Sequence, residues 1–553
     1  MNKNSRTILA ACLSLAVLFT WQLFFLDSTV KYGSEVQVQN ESPLEITEQD
    51  IISINREKAL ALAKQEEIRL PFKNGLVQGS INLRGARIDD LRLLTHKETY
   101  QGKDVTLLSP ANTQKVHYAE FGWISYDKGI DLPNSKTIWT ADVKELGQNE
   151  LVNLSWVNKE GTQFLISVSL DQEYMFGIEQ RVTGNNVRNL KAYSALSRSN
   201  VNPGKKEMLI HEGAIGVFNG KLSEITYSNL DKKQKYNFRD NNGGWFGFVD
   251  KYWLTAIIPS EKHSNIKFSS HVDNVSQRYQ ADIVSDHNPG ESENSNQKFF
   301  LYAGAKNLKV LDNYEKKYQI HLFDRAVDFG MLYFITKPMF ITLNFIYRMV
   351  GNFGVAILVL TILIKMLLFP LAYKGFKGMN KLKELQPEMK RIKEAYPNDN
   401  AQLQKAMLTL YRREKINPMS SCLPIFLQMP IFFALYKVLY VTIEMRHAPF
   451  FGWIKDLSSP DPSNVFSLFG LIPWNPPSFM MIGILPIIMA GTLFLQQALN
   501  PQSGDPTQAR IMKLFPLVFL FMFSSFPSGL VLYWSWSNIL SILQQIIIKQ
   551  IYR

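Results

Sequence analysis

Cysteine is nearly absent, with Cys12 and Cys422 the two in 553 residues, far apart and each inside an apolar segment. That excludes a disulfide framework and a zinc site, so any water-soluble part must be held by its own core. Metal-ligand spacing, a glycine-rich phosphate loop and a nucleophile elbow are also missing, and neither a metal nor a cofactor is implied. The eight histidines are scattered, and isolated ones such as His211 and His321 read as structural or surface residues. Charge is scarce too, at 20% of residues against 46% apolar. The net charge of +12 does not make a nucleic-acid binder, because the clearest basic cluster is a loop between apolar segments rather than one folded face.

What is present is unevenly placed. Apolar residues gather at the N-terminus and from about Met331 onward, while the stretch between is ordinary water-soluble sequence, so a membrane part carries a soluble part. Lys3 and Arg6 precede an apolar run from Thr7 to Leu26, about 30 Å long as a helix. Leu26, Asp27 and Ser28 do not offer the small-x-small pattern of a cleavage site, so residues 1–26 read as an uncleaved anchor rather than a signal peptide. Leu9-Ala10-Ala11-Cys12 resembles a lipoprotein site, but Ile8 and Leu9 are too short a hydrophobic region for one. The leading positive charges hold the N-terminus in the cytoplasm and direct the chain beyond the anchor outward.

Residues 27–56 are acidic and poor in aromatics, as expected of a flexible linker. Beyond them Leu154, Trp156 and Val157 lead into Asn158-Lys159-Glu160-Gly161. Phe164, Ile166, Val168 and Leu170 then alternate with mostly polar residues, and Tyr174, Phe176 and Ile178 repeat the period. This strand-and-turn series, with similar stretches at Leu76 to Leu83, Trp253 to Ile258 and Phe299 to Ala303, predicts an antiparallel β-sandwich over residues 57–323.

The Met331 to Val350 segment is apolar but contains Lys337-Pro338 and Arg348. Topology decides its place. The span Phe353 to Tyr373 leads into Lys374 to Lys415, with eleven Lys or Arg against five Asp or Glu, a loop that stays in the cytoplasm. One crossing from the exported sandwich puts it there, so residues 324–352 are expected as an interfacial amphipathic helix. Further spans are expected at Cys422 to Thr442, Phe479 to Leu499, Ile511 to Phe526 and Leu530 to Ile548, the last two joined at Pro527-Ser528-Gly529. The expected fold is multi-domain: a six-span α-helical membrane protein, counting the anchor, with both termini cytoplasmic. Residues 353–553 form a five-span core carrying a cytoplasmic helical hairpin at 374–418. Leu382, Leu385, Met389 and Ile392, then Leu403, Met407 and Leu410, give the hairpin two amphipathic helices. Its basic surface either controls topology or docks a ribosome, a nascent chain or another cytoplasmic partner.

One cation breaks the apolar pattern. Lys365 falls about 16 Å from one end of a straight second span and about 14 Å from the other, where an ammonium is costly and must face a bundle interior or water. Thr361 lies one turn earlier on the same face, and Gln428, Gln496, Gln497, Ser537, Gln544 and Gln545 add polar groups to other spans. With no obvious carboxylate partner in any span, Lys365 points to a hydrated cavity, with a purely structural lysine as the alternative. Lys437, near an outer span end, reads as a snorkelling residue. The fifth span is short at about 24 Å, which implies local bilayer thinning. Its Phe515, Phe519, Met522 and Phe526 stripe, like Met429, Phe432 and Phe433 on the third span, suits either core packing or a client-binding surface.

Leu385-Gln386-Pro387, Lys415-Ile416-Asn417-Pro418, Leu427-Gln428-Met429-Pro430-Ile431-Phe432 and Phe526-Pro527-Ser528-Gly529-Leu530-Val531-Leu532-Tyr533 closely resemble the motifs of the YidC membrane protein insertases of Gram-negative bacteria. The resemblance implies an inner-membrane insertase and chaperone with a periplasmic sandwich, and no enzyme activity. It implies a hydrophilic groove in which Lys365, Thr361, Gln428, Ser537 and Tyr533 receive clients. Met429, Pro430, Phe433, Phe515, Phe519 and Met522 would form the slide along the third and fifth spans. The implied partners are nascent membrane proteins, the Sec translocon, membrane lipids, and a ribosome through the hairpin and tail. This chain departs from the family at the cation, commonly an arginine there. Two other classes compete: an intramembrane serine protease with Lys365 as base, which needs a span serine in reach of it, and a small-solute transporter, which would favour repeated halves. Deleting most of residues 57–310 is expected to reduce insertion of single-span clients less than altering the core does, as read by a protease-protection assay.

Overall fold

In the computed structural model the described residues are 55–551, excepting 67, 126–129, 185–189, 200–209, 241–242, 261–263, 273–276, 286–295, 398, 415–422, 469–471, 473–480 and 500–505. The expected anchor, nearly all of the linker, both cysteines and the Lys415 to Pro418 motif lie outside them. The chain divides into two compact units, Met1–Asp328 and Phe329–Arg553.

The described part of the first unit begins with a helix, Arg56–Gln65, started by the Asn55 side chain accepting from the Glu57 N–H. Two nine-stranded antiparallel sheets come next. One has Arg69–Lys73 and Lys235–Asp240 at its edges, and the other has Lys221–Thr226 and Thr140–Ala141. The expected hairpin forms as the residues dictate. Leu151–Val157 pairs with Gln163–Leu170, and between them Asn158 Oδ1 accepts from the N–H groups of Glu160 and Thr162, while Gly161 takes φ +81°. In Gln163–Leu170 every second residue is buried, the period that turns one face to a core.

That core is aromatic: Phe72, Phe164, Phe176, Trp245, Phe246, Phe248, Phe268, Tyr302 and Phe323 are all fully buried. Polar side chains cross it. His117 of the first sheet meets Thr255 Oγ1 of the second at 2.9 Å, and Gln180 Nε2 donates to the Gly122 carbonyl at 2.8 Å. Burial holds His117 well below the ordinary imidazole range, so it is neutral. His211 is a structural histidine, bonding the Ala214 carbonyl at 2.9 Å.

In the second unit a helix over Tyr333–Val350 is two-faced. Met339, Phe340, Leu343 and Ile346 are buried, whereas Phe334, Ile341, Phe345 and Met349 are exposed. Gly351 ends it at φ +70°, and Asn352 caps the next helix, Phe353–Leu367, by accepting from the Val355 N–H. The span expected to run on to Tyr373 is broken. A helix over Phe369–Glu384 continues at a 62° bend, and Pro370 is the cause in the sequence, since it has no N–H for the preceding turn and disfavours helix at Phe369. Lys365 therefore sits in the last turn of a bent helix rather than at the centre of a straight one.

Gln386–Ala395 and Asn400–Arg413 come after it, the second capped by Asp399, and Arg413 pairs with Glu388 across the two. The remaining helices are Leu423–Val441, Ile484–Leu499, Pro506–Phe523 and Ser528–Ile551. Among the described residues Ser528–Gln550 is long and apolar enough to cross a membrane alone, and the bent pair passes the same test as a unit. The expected fifth span begins earlier and ends earlier than its apolar run suggested. Its 18 residues reach about 27 Å, and the short part is the apolar stretch Met512–Phe523.

Lys306, just past the last strand of the sandwich, is 1% exposed, and its ammonium finds no hydrogen-bond partner among the described residues. Burial pulls its pKa from 10.5 down to about 8, against the opposing pull of Asp328, Asp250, Glu212 and Glu224. Between those two values the unfolded chain binds more protons than the folded one, so stability rises with pH across that window and the penalty is full below it. Lys306→Met is expected to stabilise the sandwich by roughly 2 kcal/mol at pH 7. Thermal unfolding of the full chain in detergent should show that gain shrinking from pH 8 upward.

Candidate functional site

The site is built by three helices that meet at Lys365. The Phe353–Leu367 helix brings the lysine, Leu423–Val441 brings Gln428, and Ser528–Ile551 brings a stripe of polar side chains. Tyr533, Ser537, Ser541 and Gln544 recur at steps of four, four and three, which keeps them on one face of an otherwise apolar helix.

Lys365 Nζ donates to Ser541 Oγ at 2.8 Å and to Gln428 Oε1 at 3.5 Å. Gln428 Nε2 donates in turn to the Tyr533 hydroxyl, which also bonds the Ser537 side chain. The Ser541 hydroxyl donates its own hydrogen bond to the Ser537 carbonyl at 2.9 Å. Gln544 Nε2 donates to the Lys365 main-chain carbonyl at 3.1 Å. Among the described residues no carboxylate pairs with Lys365, so every oxygen on the ammonium is neutral and the positive charge stands uncompensated.

The structure brings Lys365, Gln428, Tyr533 and Ser537 into one network. Thr361 lies a turn away, fully buried, and its hydroxyl donates to the Ile357 carbonyl of its own helix at 2.6 Å. Ser541 was not singled out from sequence, although its spacing from Ser537 was the available signal. On the third expected span Met429, Pro430 and Phe433 are half-exposed, while the neighbouring Phe432 is buried against Trp534, ring centroids 4.8 Å apart. The aromatic stripe of the fifth divides as well. Phe519 packs toward Trp534 and Phe526 toward Tyr436, whereas Phe515 and Met522 are 41% and 42% exposed. Lys437 lies against the chain, its Cε 3.3 Å from where a Cβ on Gly330 would stand.

The segment after Leu423–Val441 bonds to the starts of Ile484–Leu499 and Ser528–Ile551. Asp461 accepts from the Trp453 indole and from the Leu485 N–H. Gly529 N–H donates to the Leu457 carbonyl at 3.0 Å, and the Ser528 hydroxyl to that of Ser459 at 2.8 Å. Elsewhere, Asp312, Glu315 and Asp324 bring carboxylate oxygens within 4.8 Å of one another, the one grouping with ligand potential among the described residues.

A helical core with a cation in its polar interior, carried on the same chain as a large antiparallel sandwich, defines a membrane protein with a substantial extramembrane domain. The 60Kd inner membrane protein family matches residues 345–553, and the YidC periplasmic domain family matches residues 69–342. The membrane protein insertase YidC of Rickettsia prowazekii (strain Madrid E) is 45% identical over 570 residues, covering 100% of both chains. Its counterpart in Rickettsia bellii (strain OSU 85-389) is 44% identical over 561 residues with the same coverage. The chain belongs to the YidC family of membrane protein insertases, inner-membrane proteins with a periplasmic domain. An active YidC insertase crystal structure with its first transmembrane domain resolved aligns over 97% of this chain and 98% of its own, at 15% identity and a TM-score of 0.37.

Ser541 within reach of Lys365 satisfies the geometric condition set for a serine–lysine protease, yet the surroundings do not suit acyl transfer. Ser541 lies inside the continuous Ser528–Ile551 helix, whose N–H groups are committed to the helix and cannot form an oxyanion hole. The relatives are insertases, and the chain is not an enzyme. Ser541→Ala removes the nearest acceptor of a charged donor and is expected to lower the stability of the detergent-solubilised protein by about 2 kcal/mol. Thermal unfolding measures this, and a fluorophosphonate probe should leave Ser541 of the unmodified protein unlabelled.

Proposed function

We propose that this chain inserts newly made membrane proteins by receiving a polar or acidic client segment in a hydrophilic groove around Lys365 and releasing the adjoining apolar segment into lipid. The observation that carries the reading is the neutral shell of the ammonium. Ser541 and Gln428 offer dipoles but no charge, so a carboxylate entering the groove meets an unanswered cation in a medium where attraction is poorly screened. The cost of moving that carboxylate through lipid falls accordingly.

The groove is open to the cytoplasm and to lipid. The Asp461, Leu457 and Ser459 contacts support closure on the outer side. In this reading the core has five spans with the bent Phe353 to Leu382 pair as one of them, and an N-terminal anchor makes six. Both termini and the hairpin at 374–418 are cytoplasmic. Exposed Phe515 and Met522, with half-exposed Met429, Pro430 and Phe433, form the slide along which the apolar segment leaves. The basic hairpin and tail approach a ribosome, and the Sec translocon passes on part of the client range.

Lys365→Ala is expected to lower insertion of a single-span client with an acidic translocated tail at least tenfold, and Lys365→Arg to retain most of it. Protease protection of the client in proteoliposomes reads both. Insertion by Lys365→Ala at the unmodified rate would sink the groove.

A further inference from the structure

We infer that Gln544 is a positioning residue for the Lys365 ammonium, gripping the main chain of the same residue whose side chain Ser541 holds. The inference rests on the groove reading above and adds a residue to it. Lys365 is the third residue from the end of the Phe353–Leu367 helix. The last four carbonyls of any helix lack partners from their own helix, and Pro370 prevents this one from continuing in line. At this break the Gln544 amide donates to the Lys365 carbonyl at 3.1 Å.

Gln544 lies three residues beyond Ser541 on the same helix face. One residue is thus held at two points from one neighbouring helix, the carbonyl by Gln544 and the ammonium by Ser541 at 2.8 Å. Two attachments about a turn apart fix both where the lysine stem leaves the backbone and where it ends. A lysine has four rotatable side-chain bonds and, unlike a guanidinium, no rigid plane to aim it. Without the Gln544 contact the end of the Phe353–Leu367 helix is free to turn about the break, and the ammonium loses its fixed place opposite Gln428. Client recognition by charge then weakens, although the charge itself is intact.

The test is a double-mutant cycle on the full chain in proteoliposomes, with two clients that differ in one translocated tail, acidic or neutral. Gln544→Met keeps the volume and removes the donor. It should lower insertion of the acidic-tailed client about fivefold, the worth of one net hydrogen bond, and this loss should be several times larger than for the neutral-tailed client. In a Lys365→Met background, where the carbonyl remains but no ammonium needs placing, Gln544→Met should add no further loss. Equal losses for the two clients, or a loss that persists beside Lys365→Met, would mark Gln544 as a structural cap and overturn the inference, as would no loss at all. Gln544→Leu, run in parallel, keeps the cycle readable if the methionine variant fails to accumulate. If Lys365→Met alone inserts the acidic-tailed client at the unmodified rate, the groove reading falls instead.

Discussion

An ammonium on an apolar helix of a bundle has to be given oxygen atoms, because lipid and apolar side chains offer none. Much of the core stems from that requirement. The Ser528–Ile551 helix carries Tyr533, Ser537, Ser541 and Gln544 on one face, a polar stripe that has no place on a helix needing only lipid and core contacts. The Leu423–Val441 helix contributes Gln428, whose amide serves twice, accepting from Lys365 and donating to Tyr533. Each group in the chain bonds the next, and the network contains no counter-charge among the described residues. Hydrogen bonds to neutral dipoles reduce the desolvation penalty but leave a net charge, and in the proposed groove that remaining charge is what would attract a client.

The sandwich treats a buried lysine differently. Lys306 has no hydrogen-bond partner among the described residues, yet Asp328, Asp250, Glu212 and Glu224 all act on it electrostatically. Arg198, also buried, pairs directly with Asp250 at 2.7 Å. In the sandwich, then, these two cations lie among carboxylates, which offset part of the cost of burial at Lys306 and pair directly with Arg198. In the core the lysine lies among hydroxyls and amides. The two lysines differ in the chemistry of their neighbours, carboxylates around Lys306 and neutral dipoles around Lys365, and also in burial, Lys306 being fully enclosed and Lys365 half-buried.

The sequence made much of this legible where local rules govern. Alternation in Gln163–Leu170 and the Asn158 to Gly161 turn were readable because a period of two and an Asn-Gly turn act over a few residues. Caps at Asn352 and Asp399 obey the same logic. The sheet order was not readable, because Leu190–Ser199 pairs with strands that lie far from it in sequence on both sides. The break at Leu368 had its signal in Pro370, but the apolar run continues through the bend, and hydropathy does not register a change of direction. Placing Lys365 by counting helical rise therefore assumed a straight axis that the chain does not have. Ser541 and Gln544 were visible as a spacing, yet a spacing on one helix cannot say which neighbour it meets.

Lysine at this position, where the resemblance led to the expectation of an arginine, becomes intelligible from the same geometry. A guanidinium has five donors in a rigid plane and would need acceptors arranged to match it. The ammonium has three donors on a flexible stem. Two are directed here to Ser541 and Gln428, at 2.8 and 3.5 Å. A site with two neutral acceptors suits lysine, provided something else supplies the aim that the guanidinium plane would have given. The Gln544 contact to the Lys365 carbonyl lies where that aim must be set, at the bend where the helix carrying the cation ends. On the inference drawn for Gln544, rigidity that a guanidinium would carry within one side chain is distributed here between two helices.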